Sequence, residues 1–136
     1  MAVTEDVRPA VRAWLDDNWD PDLTVADWWQ RLADSGWAMP TWPEEHSGRG
    51  LARPEANAVS AEIGEAGALG PPGGLGTMLA APTIITHGTD EQKQRFLPKI
   101  ANGQEAWCQL FSEPGAGSDL AGLQAKAVKD GDEWIV

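Results

Sequence analysis

Apolar residues recur at helical intervals from the start of the chain, at Val7, Val11, Trp14 and Leu15. This spacing predicts a helix from Thr4 to Asn18. Pro9 must then stand in the first turn, where a missing N–H does no harm.

A second helix is marked at both of its ends. Thr24 is a good N-cap with Asp27 three residues later, and Gly36 supplies a left-handed stop. Its apolar face is expected to comprise Val25, Trp28, Trp29 and Leu32.

The segment 37–50 contains two prolines and two glycines, which forbid regular structure, while its tryptophans predict an ordered loop that packs on the helices. A third helix is predicted from about Pro54 to Ala68, and its many alanines suit close helix–helix approach. The Gly- and Pro-rich segment 69–76 then interrupts the helical pattern.

Two further helices complete the helical part. Thr77 to His87 reads as an apolar helix bent at Pro82. The capping box that begins at Thr89 starts another helix, which ends at about Asn102.

The helical spacing of apolar residues ends at about residue 105, and a pattern typical of strands and turns follows. Residues 106–112 and 123–129 read as strands, 113–119 as a turn, and Asp130-Gly131 as a tight turn before a strand that returns from Glu133. We therefore expect a mainly α protein, with a helical domain over 1–105 and the first strands of an incomplete β-domain over 106–136. Because two or three strands do not form a stable sheet alone, we expect this chain to be part of a longer protein.

Composition narrows the class of protein. Apolar residues at 42% and charged residues at 23% are typical of a globular domain. No apolar run approaches the roughly 20 residues of a membrane-spanning helix, and no secretory signal is recognisable. The net charge of −11, without a basic cluster, argues against binding to nucleic acid or to an anionic membrane surface.

Cysteine and histidine are scarce. Cys108 is the single cysteine, and neither His46 nor His87 forms a metal-ligand cluster with it in the sequence. We therefore expect a reduced, cytoplasmic protein without a metal. Of the eight tryptophans, six lie between Trp14 and Trp42, which is typical of core or interface packing.

Residues 109–119 carry the most chemical information. Gly115 and Gly117 can free backbone N–H groups to form an anion-binding nest, and Ser112 and Ser118 offer hydroxyl donors. These groups suit the pyrophosphate and polar face of a dinucleotide. The alternative is a turn at a strand end, with glycines for geometry and serines for local capping.

The run Ser112-Glu-Pro-Gly-Ala-Gly-Ser-Asp119 closely resembles the signature of the acyl-CoA dehydrogenase family. Upstream segments agree in order along the chain: Trp42-Pro-Glu-Glu-His-Ser-Gly-Arg-Gly50, His87-Gly-Thr-Asp-Glu-Gln-Lys-Gln-Arg-Phe-Leu-Pro98 and Ile100-Ala-Asn-Gly-Gln-Glu105. The resemblance implies an N-terminal helical domain, a middle β-domain and a C-terminal helical bundle. It also implies bound FAD, an acyl-CoA substrate oxidised to a trans-2-enoyl-CoA, electron transfer to an electron-transfer flavoprotein, and a dimer or tetramer.

The resemblance also implies roles for individual residues. Gln109 and Phe111 would lie along the flavin, with Gln109 where the family usually has an aromatic residue. Ser112 would contact the isoalloxazine ring in place of the usual Thr. Gly117 and Ser118 would hold the FAD pyrophosphate, and Ser118 would also contact the acyl-CoA.

The catalytic base of the family is a glutamate of the C-terminal bundle, so it is expected beyond Val136, and Glu113 is expected to be structural. Leu75, Met78 and Leu79 would supply one wall of the acyl pocket, although ordinary helix core is the expectation for at least one of them. Two alternatives stay open: a non-catalytic subunit of a heteromeric acyl-CoA dehydrogenase, and another flavin enzyme on this scaffold, such as an acyl-CoA oxidase.

Overall fold

The computed structural model describes residues 6–136, which form five α-helices followed by a two-stranded antiparallel sheet. The elements are α1 (Arg8–Asn18), α2 (Val25–Ser35), α3 (Arg53–Glu65), α4 (Ala81–His87), α5 (Asp90–Ala101), β1 (Val128–Asp130) and β2 (Glu133–Ile135). The expected mainly α fold is confirmed. Thr4, the expected start of the first helix, lies outside the described residues. Within them, α1 begins only at Arg8, after its N-cap Val7, so residues 6 and 7, which were expected to be helical, are not.

The expected helix ends are confirmed at α2 and α5. The Thr24 hydroxyl accepts a hydrogen bond from the N–H of Asp27, and Gly36 closes α2 in the left-handed region at φ +77°. At α5, Thr89 and Gln92 form the reciprocal bonds of a capping box. By contrast, α3 ends at Glu65, three residues before the expected Ala68, and the left-handed Gly67 follows it.

The core lies where α1, α2, α3 and α5 meet. Its members are buried apolar side chains, among them Val11, Leu15, Trp28, Leu32, Val59, Ile63, Leu97 and Ile100. The rings of Trp14 and Trp19 pack on Trp28 with centroids 5.7 and 4.7 Å away, so the clustered tryptophans serve core packing. Val25 does not join them: it is half exposed, because the buried face of α2 begins only at Trp28.

An ion pair joins α1 to α3 within this packing. The Glu62 side chain is buried, and its Oε2 accepts hydrogen bonds from Arg12 Nε at 2.8 Å and Nη2 at 2.6 Å. These bonds, and the negative charge of Glu62, raise the pKa of Arg12 above its ordinary value. Oε1 of Glu62 has no hydrogen-bond partner within the described residues.

The loop after α2 is ordered, as expected. Trp37, Ala38, Met39 and Trp42 are buried, and Glu44–His46 forms a short 3₁₀ turn. The N–H of Gly50 donates to the carbonyl of Trp42 at 2.8 Å, which closes the loop on itself.

The helical region resumes through a wide turn before Pro82. Gly76–Ala80 forms a π turn in which the N–H of Ala81 donates to the carbonyl of Gly76. Pro82 offers no N–H, and its ring would collide with the carbonyl four residues earlier in a regular helix. The expected bend therefore takes the form of a π turn.

The β-structure is smaller than expected. Residues 106–112 form no strand, because no second strand within the described residues offers them a ladder of hydrogen bonds. Of the expected strand 123–129, only its end is paired: Val128 faces Ile135, and Asp130 faces Glu133. Gly131, at φ +60°, opens the two-residue turn between them, as a tight hairpin requires.

None of the helices in residues 6–136 combines the length and apolar character that crossing a membrane requires.

Candidate functional site

A tight turn lies at the centre of the motif that the sequence singles out. The N–H of Glu113 donates to the carbonyl of Ala116 at 3.0 Å, and the N–H of Ala116 donates back at 3.1 Å. Pro114 and Gly115 occupy the two central positions, and Pro suits the first of them because its φ is preset. These two backbone hydrogen bonds join the last residue of segment 109–113 to the first residue of segment 116–119.

Glu113 holds this turn to the chain that follows it. Its carboxylate accepts hydrogen bonds from the N–H of Gln124 at 3.1 Å and of Ala125 at 2.6 Å. Ala116 is only 2% exposed and packs near Gly122. The carboxylate of Glu113 is thus already engaged by the backbone, which agrees with the structural role expected for it.

The five predicted cofactor-binding residues lie on the two arms of this turn: Gln109, Phe111, Ser112, Gly117 and Ser118. All five are exposed, and among residues 6–136 no hydrogen bond occupies either serine hydroxyl. A Cβ built at Gly115 or Gly117 would meet nothing within 4 Å. The turn therefore presents free N–H and O–H donors on an open face.

An apolar cleft of about 480 Å³ adjoins the first arm of the turn. We call it the proximal cleft. It lies between the π turn with α4 and residues 107–111, and it is lined chiefly by Leu75, Leu79, Ile84, Trp107, Leu110 and Phe111.

The expectation that at least one of Leu75, Met78 and Leu79 belongs to the core is wrong. Their side chains are 39%, 71% and 48% exposed, because no described element covers this side of the π turn. Leu75 and Leu79 line the proximal cleft, whereas Met78 does not.

Sequence reasoning missed three of the chief lining residues, Ile84, Trp107 and Leu110. The spacing of Ala80 and Ile84, four residues apart on one helical face, was the available signal for the first. Trp107 and Leu110 gave no such signal, because the strand predicted over 106–112 does not form and its alternation therefore did not show which side chains face the cleft.

A larger cavity of about 870 Å³ lies apart from this site, beside Val7, Trp37 and Arg49. The Arg49 guanidinium stacks on the Trp37 ring at 3.5 Å from its centroid, and its Nε donates to the carbonyl of Ser35. Burial lowers the pKa of Arg49, and the negative charge of Glu44 partly opposes this shift. These contacts give Arg49 a packing role in the loop after α2.

Within residues 6–136, no three His, Cys, Asp or Glu side chains stand close enough to hold a metal ion.

Comparison with known proteins points in one direction. A family model described as "Acyl-CoA dehydrogenase, N-terminal domain" matches residues 2–104. The acyl-CoA dehydrogenase IpdE1 of Mycobacterium tuberculosis is 39% identical over an alignment that covers 100% of this chain and 40% of that protein.

Solved structures of heteromeric relatives share the fold. One subunit in the crystal structure of the ChsE4-ChsE5 complex from Mycobacterium tuberculosis aligns with a TM-score of 0.64 and 34% identity, over 99% of this chain and 36% of that one. The Tcur3481-Tcur3483 steroid ACAD aligns with a TM-score of 0.62 and 31% identity, over 95% of this chain and 36% of that one. The chain thus spans about 40% or less of the length of these relatives.

Proposed function

Because this chain belongs to the acyl-CoA dehydrogenase family, we propose that it is the N-terminal part of an FAD-dependent enzyme that oxidises an acyl-CoA thioester to its trans-2-enoyl-CoA. The observation that carries the proposal is the open turn 113–118 beside the apolar proximal cleft. Polar donors for a dinucleotide and an apolar wall for an acyl chain then meet at Phe111.

The residues of the turn fit FAD. Gly117 leaves room for a phosphate to approach its backbone, and the Ser118 hydroxyl is free to donate to the pyrophosphate. Ser112 would donate to the isoalloxazine ring, while Gln109 and Phe111 would lie along the flavin. When bound, FAD supplies the acceptor for the hydride that leaves the acyl chain.

The chain itself would orient the substrate and exclude water. Leu79 and Phe111 would bury the acyl chain, and each buried methylene contributes about 0.8 kcal/mol. Ser118 would also contact the acyl-CoA and so hold the thioester beside the flavin. As the family resemblance implies, the base that takes the α-proton would be a glutamate of the C-terminal bundle, outside these 136 residues. Glu113 would keep a structural role, since two backbone N–H groups hold its carboxylate.

The whole protein would pass its electrons to an electron-transfer flavoprotein and work as a homo- or hetero-oligomer. Both structural relatives named above are described as pairs of different components, which supports a second candidate: a non-catalytic subunit of a heteromeric acyl-CoA dehydrogenase. An acyl-CoA oxidase on the same scaffold is the third. A glutamate base in the complete sequence distinguishes the subunit from the enzymes, and the electron acceptor distinguishes the dehydrogenase from the oxidase.

The lone Cys108 supports a reducing, cytoplasmic setting.

Replacement of Ser118 by Glu in the complete protein tests the proposal. The carboxylate would meet the pyrophosphate, so purified protein should lose its flavin absorbance. Ser118→Ala should be milder, at about 1–3 kcal/mol of lost hydrogen bonding. Ser112→Ala should change flavin reduction by acyl-CoA more than flavin content.

Ser60→Glu, which adds the same charge on the exposed side of α3, is the matched control and should keep its flavin. A Ser118→Glu protein that retains its full complement of FAD would refute the assignment of the pyrophosphate to this turn.

A further inference from the structure

A single amide side chain lines the proximal cleft, whose other walls are chiefly aliphatic and aromatic. It belongs to Gln109, in the middle of the segment 107–111. Within residues 6–136, no hydrogen bond occupies this amide. Gln109 therefore brings two N–H donors and one carbonyl acceptor to an apolar space, without a protein partner among the described residues.

The other polar groups of the cleft offer less. The Thr83 hydroxyl donates to the carbonyl of Leu79 at 2.8 Å, so its proton is already engaged. The thiol of Cys108 is only a weak donor. No charged residue stands among the described residues that line the cleft. The amide of Gln109 is thus the strongest hydrogen-bonding group there, and it suits a neutral ligand.

A bound acyl group would exclude water from this amide. An amide that loses water without gaining a partner is penalised, whereas an oxygen atom placed against it restores the hydrogen bond. A site that hydrogen-bonds one substrate group discriminates strongly against the analogue that lacks this group. Gln109 is therefore placed to distinguish acyl groups by one oxygen atom.

We propose that Gln109 selects acyl groups that carry a neutral oxygen, a hydroxyl or a ketone, over plain hydrocarbon chains of the same length. The inference rests on the proposed function. Gln109 precedes Phe111 and the turn follows it, so the oxygen would stand beyond the α- and β-carbons, which react beside the turn. An amide serves both groups, since its N–H donates to either oxygen and its carbonyl accepts from a hydroxyl. A carboxylate is disfavoured, because no cation among the described lining residues would pair with it.

The test uses the complete flavoenzyme and acyl-CoA thioesters of equal chain length. One is unsubstituted, and the others carry a hydroxyl or a ketone at one carbon beyond the β-carbon. In the wild type, kcat/KM for the best oxygenated thioester should exceed that of the unsubstituted one by about 5- to 100-fold. Gln109→Leu, which removes the amide at similar size, should abolish this preference. Gln109→Asn, which keeps an amide, should retain part of it.

Thr83→Val is the matched control, because Thr83 lines the same cleft and its hydroxyl already donates to Leu79. It should leave the preference unchanged. A thioester that ends in a carboxylate should react more slowly than the unsubstituted one. Binding of non-reacting CoA thioethers with and without the oxygen should show the same preference as turnover does.

Four results would overturn the inference. Equal kcat/KM for oxygenated and unsubstituted thioesters in the wild type is the first, and an undiminished preference in Gln109→Leu is the second. Loss of the preference in Thr83→Val would move the contact to α4. A flavin spectrum altered in substrate-free Gln109→Leu, with the preference intact, would assign the amide to the flavin alone.

The inference and the proposed function fail in different ways. Wild-type flavin that no acyl-CoA reduces would remove both. Reduction by acyl-CoA without any preference for oxygen would remove only the inference.

Discussion

Replacing Gly103 by alanine should destabilise the helical domain far more than the same replacement at Gly67. Gly103 follows α5 in the left-handed region at φ +74°. A Cβ there would collide with Cε3 and Cζ3 of the Trp29 ring, so the indole would have to move. Gly67 has a similar φ of +68°, but a Cβ there would meet nothing within 4 Å.

The two variants share one cost and differ in another. A non-glycine residue in the left-handed conformation costs about 1–2 kcal/mol. The forced displacement of the Trp29 indole adds about 1–3 kcal/mol at Gly103 alone. We therefore expect a loss of about 2–5 kcal/mol for Gly103→Ala against about 1–2 kcal/mol for Gly67→Ala, within a typical total of about 5–15 kcal/mol. The entropy that alanine removes from the unfolded chain affects both variants alike.

Urea denaturation of the complete protein, followed by tryptophan fluorescence and far-ultraviolet circular dichroism, measures both losses. Gly103→Ala in a Trp29→Leu background should approach the loss measured for Gly67→Ala, because the ring that obstructs the methyl group is gone. Equal destabilisation by the two single variants would refute the reasoning, since it would mean that the indole moves aside without cost.

Three further predictions concern α1, α5 and the apolar surface. Arg12→Met should lower the urea midpoint because it leaves the Glu62 carboxylate buried without its two donors, and adding Glu62→Leu should restore much of the loss. Thr89→Ala should cost about 1 kcal/mol of stability through loss of the α5 cap, measured in the same way. The pKa of Glu91 is lowered first by the hydrogen bond from the Thr89 side chain and then by a hydrogen bond from the Glu91 backbone. The stabilisation that comes from ionised Glu91 is therefore present above its unfolded-state pKa and is lost as the pH falls through its folded-state pKa. Thr89→Ala should raise the pKa of Glu91 in an NMR titration and weaken that acid dependence; an unchanged Glu91 pKa would contradict this. The chain expressed alone should aggregate or bind a hydrophobic dye strongly, because many large apolar side chains are exposed, and a dye-free monomer with a sharp melt would count against that expectation.

Local signals predicted the helices well because their physical causes lie within a few residues. Thr24, Gly36 and Thr89 act on backbone groups of their own helix, so the sequence reveals the helix ends directly. The tryptophan cluster likewise predicted core or interface packing, and in the structure the rings of Trp14 and Trp19 pack on the buried Trp28.

Prediction failed where the cause lies far away along the chain. The residues 106–112 have the composition of a strand, yet strand formation depends on a partner that they lack within the described residues. The same holds for the proximal cleft, whose two sides come from 75–84 and 107–111. The roles of Ser112 and Ser118 stay predictions, since an exposed hydroxyl gains its function only from the group that it meets.

The π turn before Pro82 has a consequence for how this region tolerates changes in chain length. An α-helix advances about 100° per residue, so inserting or deleting one residue normally turns every upstream side chain to another face. A π turn already accommodates one residue more than an α turn does. Deletion of one residue within 76–80 would remove that excess and rotate Leu75 away from its present direction, while α4 and α5 kept theirs. Length variation of a single residue here is thus a simple evolutionary route to a differently shaped cleft, although Gly76, which packs against the core residue Ile100, limits which residue can be deleted.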